Sequence, residues 1–131
     1  MKLRLLSAPL LLLAGCATTV DKPLYLTGAW GGPNAGIAFN VLGNVQFDCA
    51  SGSIDMLVYP AKDGSFSAKG VYHAGSPGPV RVGQIFVSQQ ATYSGSAVKG
   101  QMVLSVELED GSLIGPFNLV EGAAPQITRC V

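Results

Sequence analysis

The stretch Gln101-Met102-Val103-Leu104-Ser105-Val106-Glu107-Leu108-Glu109 decides the fold. Met102, Leu104, Val106 and Leu108 recur at every second position against Gln101, Ser105, Glu107 and Glu109, so one face is apolar and the other charged. A period of two belongs to a half-buried β-strand, whose successive side chains point to opposite sides. The same spacing returns in Ile37, Phe39 and Val41, in Val45, Phe47 and Cys49, in Ile54, Met56 and Val58, and in Phe66, Ala68 and Tyr72. Between these runs lie Gly43-Asn44, Ala50-Ser51-Gly52, Lys62-Asp63-Gly64 and Asp110-Gly111-Ser112, which offer residues suited to tight turns. Further strands are predicted from Val80 to Val87, from Gln90 to Gly95 and from Gly115 to Val120, with a short last one from Ile127 to Val131.

No segment carries a sustained helical apolar stripe, and seventeen glycines argue against long helices. Short strands joined by tight turns predict an all-β chain, a single small antiparallel β-barrel of about eight strands, because closure removes exposed edges. A two-sheet β-sandwich is the alternative. The residues expected to face inward include Ile37, Phe39, Phe47, Ile54, Met56, Phe66, Tyr72, Met102, Leu104 and Val106. An eight-stranded barrel is only just wide enough for side chains to fill, so such large residues predict a solid core and argue against a small-molecule ligand. Gly28-Ala29-Trp30 is similar to the Gly-x-Trp that opens the first strand of lipocalins and avidin-like barrels, which implies a tryptophan closing one end of a hollow, ligand-binding barrel. Read by itself, Trp30 is a large core residue beside the turn Gly31-Gly32-Pro33-Asn34.

Leu13-Ala14-Gly15-Cys16 follows Lys2, Arg4 and an apolar run, and resembles the lipobox of bacterial lipoproteins. A spanning helix needs about 20 apolar residues, more than separate Leu5 from Ala17. The resemblance implies a signal peptide over residues 1–15, cleavage before Cys16 and acylation of its thiol and new amino group. Residues 16–23 then form the lipidated cysteine and a short tether, and residues 24–131 the barrel domain. At up to about 3.5 Å per residue, Ala17 to Pro23 lifts the domain no more than about 25 Å from the bilayer. Ala17, where inner-membrane lipoproteins of this kind commonly carry Asp, implies the periplasmic face of the outer membrane in an organism with two membranes.

Cleavage removes Lys2 and Arg4 and leaves a chain with fewer basic than acidic residues. No basic patch remains to neutralise phosphates, which argues against a nucleic-acid partner. With Cys16 taken by lipid, Cys49 and Cys130 are left in an oxidising compartment, and they are expected to form a disulfide. A structural metal site wants about four ligands and a redox couple a Cys-x-x-Cys pair. Neither pattern is present, so no metal or cofactor is expected.

The alternation places His73 on an outward face, no serine sits in Gly-x-Ser-x-Gly, and Glu107 and Glu109 share an outer face; no catalytic residues are expected. Ala91-Thr92-Tyr93 followed by Lys99-Gly100 is similar to the signature of membrane-bound inhibitors of C-type lysozyme, which implies partner contacts by Tyr93, Lys99 and a hydroxyl from Ser94 or Ser96. On their own residues, Tyr93-Ser94-Gly95-Ser96 read as a β-turn and Lys99 as a solvated charge. The sequence therefore favours a lipid-anchored envelope protein with a structural or protein-interaction role, with a cleft-blocking lysozyme inhibitor and a small apolar-ligand barrel as alternatives. Leu57 and Tyr59 beside Pro60, with the loop from Gly75 to Pro79, form the candidate contact surface.

Overall fold

A computed structural model describes residues 24–75 and 88–130. Its strands are β1 (Gly28–Gly32), β2 (Ala35–Phe39), β3 (Gly43–Phe47), β4 (Ala50–Ile54), β5 (Ser65–Ala74), β6 (Ser88–Val98), β7 (Gln101–Leu108) and β8 (Leu113–Glu121). Each runs antiparallel to its predecessor, and β8 returns to β1 through Trp30↔Glu121 and Gly31↔Val120, so the sheet closes into an eight-stranded barrel. This is the expected architecture, and closure excludes the sandwich.

The alternation of β7 holds throughout: Met102, Leu104, Val106 and Leu108 are buried, while Gln101, Val103 and Glu107 are exposed. Trp30, Ile37, Phe39, Phe47, Ile54, Phe66, Tyr93 and Leu119 join them in one continuous core. Met56 departs from expectation at 44% exposed. Strand β4 ends at Ile54, so the period of two stops there and a loop brings Val58, not Met56, into the core. Val41 likewise lies beyond the end of β2, in the open β2–β3 loop. Tyr72 is half-buried, its ring 5.5 Å from that of Phe47.

Two of the expected turns are present. Asp63 Oδ1 accepts hydrogen bonds from the Ser65 hydroxyl (2.7 Å) and N–H (3.0 Å), and Asp110 Oδ1 accepts one from the Ser112 N–H (2.9 Å). These bonds favour the ionised carboxylates and hold both pKa values below the ordinary aspartate value. Gly43-Asn44 and Ala50-Ser51-Gly52, by contrast, lie inside β3 and β4, and the chain reverses at Asn40–Leu42 and Asp48-Cys49. Tyr93-Ser94-Gly95-Ser96 is also strand, within β6. The β6–β7 reversal falls at Lys99-Gly100, whose φ angles of 51° and 78° are what a two-residue type I′ hairpin turn requires. The strand expected from Val80 to Val87 lies outside the described residues. Of the last expected strand, residues 127–130 carry no strand, and only Gln126 forms an isolated bridge, parallel to Pro33.

The chain after β8 instead forms a strap that runs back across the outer face of β1 and β2. Gly122 N–H donates to Ala29 C=O (2.7 Å), Gln126 N–H to Gly32 C=O (3.0 Å), and Asn34 N–H to Gln126 C=O (2.8 Å). Gly31 and Gly36, cross-strand partners, make room for it. A Cβ on Gly31 would lie 2.6 Å from the carbonyl carbon of Ala124, and one on Gly36 would lie 2.5 Å from Pro125 Cβ. The strap ends on the β3–β4 turn, where Thr128 N–H donates to Asp48 Oδ1 (2.7 Å), Cys49 N–H donates to Thr128 C=O (3.1 Å), and Cys49 and Cys130 form the expected disulfide.

A bridge separated by 81 residues restricts the unfolded chain strongly. The double variant Cys49→Ala with Cys130→Ala is expected to lose about 2–5 kcal/mol of stability in urea unfolding, with the barrel's circular dichroism retained. The same loss should follow from reducing the wild-type protein.

Candidate functional site

Three places on the barrel can be weighed as sites: the interior, the two ends, and the outer wall. In the interior, Tyr93 stands between Ala68 of β5 and Val106 of β7. Its side chain is 0% exposed, and its hydroxyl donates to Val71 C=O at 2.7 Å. Gly70 and Gly52 leave the space that its ring and hydroxyl occupy: a Cβ on Gly70 would lie 2.9 Å from Tyr93 Cε2, and one on Gly52 would meet the hydroxyl itself. Burial, with smaller contributions from the Tyr72 and Asp55 charges, pushes the phenol well above its ordinary pKa. The group is a neutral hydrogen-bond donor across the physiological range.

Tyr93 therefore cannot be the partner contact that the Ala-x-Tyr resemblance implied. The period of two that runs through Ala91 and Tyr93 points the ring inward, and its hydroxyl finds a backbone acceptor there. Ser94 and Ser96 alternate with it and lie half-buried on the wall, Ser94 between Ser67 and Ser105, Ser96 between Ser65 and Val103. Lys99 is exposed at the apex of its turn. The four residues are thus divided between core, wall and turn rather than gathered into one contact surface.

Reading the strands in order separates the two ends. The start of β1, the β2–β3 loop, the β4–β5 loop and the Lys99-Gly100 turn share one end, here the near end because residue 24 lies there. The β3–β4 and β7–β8 turns, with the disulfide, share the far end. At the far end an open cleft of about 820 Å³ is walled in part by Ser51, His73, Gly75, Ile127 and Arg129. His73 is exposed on β5, as expected, and its Nδ1 lies 2.6 Å from the Ser88 hydroxyl across the β5–β6 pairing. This pair is invisible in sequence, where the two residues stand far apart. A serine activated as a nucleophile needs its histidine oriented in turn by a further group, and among the described residues no carboxylate hydrogen bond to His73 supplies that. Nor do the described residues include three metal-ligating side chains grouped to hold an ion.

At the near end the side chains are of another kind. Leu24 is 81% exposed, Val41 65% and Tyr59 57%, with Tyr25, Leu42 and Met56 also exposed. Tyr25 and Tyr59 meet edge-on at 6.1 Å, and Leu26 N–H donates to Val58 C=O at 2.8 Å, which ties the first described residues to the β4–β5 loop. Of the surface expected around Leu57 and Tyr59, Leu57 is half-buried and Tyr59 is exposed; of the loop from Gly75 to Pro79, only Gly75 is among the described residues. Cys16 also lies outside them.

The fold thus defines a filled, up-and-down antiparallel barrel carrying a disulfide-locked strap. No protein family matches the chain, and no curated protein or solved structure matches it.

The fit of Tyr93 against Gly52 can be measured by a double-mutant cycle. Tyr93→Phe should cost about 1–2 kcal/mol through the lost bond to Val71. Gly52→Ala should cost more in the wild type than in the Tyr93→Phe background, a coupling of about 1–3 kcal/mol in urea unfolding. Additive costs would place the hydroxyl elsewhere.

Proposed function

We propose that the chain is a lipid-anchored cell-envelope protein, held by acylated Cys16 to the periplasmic face of the outer membrane where there are two membranes, and that its barrel acts as a protein-interaction module. The observation that carries this reading is the filled interior. Trp30, Ile54, Tyr93, Met102, Leu104 and Leu119 occupy the space in which a hollow barrel of this size would keep a ligand. A partner is therefore met from outside. The far end is the natural place for it, since it combines the open cleft with Asp48, Glu107, Glu109 and Asp110 against Arg129.

The anchor is tested by growing cells with an alkyne fatty acid. The wild type should carry the label and sediment with membranes, and Cys16→Ser should lose the label and leave the membrane fraction. A wild-type chain without label overturns the anchor. The interaction role is tested by capture from detergent-solubilised envelope: Glu107→Lys with Glu109→Lys should lose the partner that the wild type retains.

Lys99, exposed on its turn, keeps the lysozyme-inhibitor alternative open. That reading expects micromolar protein to slow C-type lysozyme and Lys99→Ala to relieve the inhibition. Undiminished lysis with the wild type removes it.

A further inference from the structure

The apolar side chains exposed at the ends of the barrel are distributed unevenly. Leu24, Tyr25, Val41, Leu42, Met56 and Tyr59 come from three separate segments, and the topology brings all three to the near end. At the far end, among the described residues, Leu113 is the one large hydrophobic side chain exposed. A rim of this kind on a small domain marks a surface that something covers.

Two observations identify what covers it. Residue 24 lies on this rim, so the chain leading to Cys16 leaves the barrel there, and a tether of at most about 25 Å cannot carry that end far from the membrane. Charge is divided in the same sense. Among the described residues, the far end gathers Asp48, Glu107, Glu109 and Asp110 with Arg129, whereas the near end sets Lys62 and Lys99 among Asp55, Asp63 and Glu121. Anionic headgroups therefore repel the far end more than the near one. Tyrosines beside leucine, valine and methionine suit the interfacial zone, where an amphipathic ring keeps its hydroxyl in the headgroups and its body in the acyl boundary.

We propose that the near rim seats in the interfacial zone of the bilayer that holds Cys16, so that the barrel stands end-on with its cleft directed away from the membrane. The proposal rests on the lipid-anchor reading of Cys16. The rim adds shallow apolar contact to the hold of the acyl chains and converts a loose tether into a fixed orientation. Lys99 then faces the bilayer, and a soluble lysozyme would not meet it in the anchored protein.

The test uses the mature chain, acylated at Cys16, in vesicles of phosphatidylethanolamine and phosphatidylglycerol containing a lipid with a nitroxide near its headgroup. Leu42→Trp reports the near rim and Leu113→Trp the far end, with buried Trp30 as common background. Emission from Leu42→Trp should fall about twofold relative to vesicles without nitroxide, and that from Leu113→Trp should not change. Adding Val41→Glu should reduce the quenching at Leu42→Trp while the protein still floats with the vesicles. Equal signals at both ends from a floating protein overturn the seat and leave the anchor standing. An unquenched rim that cross-links into a dimer overturns it in favour of a second copy. A chain whose mass shows no acyl group on Cys16 overturns both readings, and this is measured before reconstitution.

Discussion

A curved sheet of eight strands leaves two edges whose N–H and C=O groups need partners, and this chain satisfies them by joining β1 to β8. The join is short. Two residue pairs form it, whereas all five residues of β1 pair with β2. The strap extends it: Gly122 takes up the Ala29 carbonyl and Gln126 the Gly32 carbonyl, so acceptors on β1 are met partly by the strand before the strap and partly by the strap itself. Only glycine at Gly31 and Gly36 lets a second layer of backbone lie so close to the wall. The disulfide then fixes the far end of that layer to the β3–β4 turn. Closure, the paired glycines and the bridge are parts of one solution to the edge problem.

Because the barrel is closed and filled, chemistry has little room inside it. The most polar atom in the core, the Tyr93 hydroxyl, is already committed to Val71. What differs from place to place among the described residues is the outside: an apolar rim where the chain enters, a far end with a cleft and four carboxylates, and a wall rich in serine between them. Those differences divide the molecule into a side suited to a membrane and a side suited to a partner, and they support reading it as a mounted interaction module.

The barrel was legible in the sequence because β7 and its like state the period of two without ambiguity, and the disulfide because only two cysteines remain once Cys16 is assigned to lipid. The turns were read less well, and glycine explains why. A glycine supplies either a free backbone or a missing side chain, and one sequence does not distinguish the two uses. Gly43 and Gly52 look like turn residues but are strand residues: Gly43 fits against Phe39 and Ile54, and Gly52 leaves space for the Tyr93 hydroxyl. Gly100, in a less obvious position, turns the chain, as Gly64 and Gly111 do. Met56 was misplaced because alternation carries no signal of where a strand stops. The near rim could not be read at all, since Leu24, Val41 and Tyr59 become neighbours only after the strand order is known.

The position of the bridge also bears on the order in which the protein matures. Cys130 closes onto a residue 81 positions earlier, so Cys49 waits unpaired until nearly the whole barrel sequence has been delivered. During that interval the only other cysteine upstream is Cys16. A thiol already converted to a thioether cannot take part in exchange. On the proposed assignment, acylation of Cys16 would do more than anchor the chain. It would remove the one competing thiol during export and leave Cys49 a single correct partner within the chain.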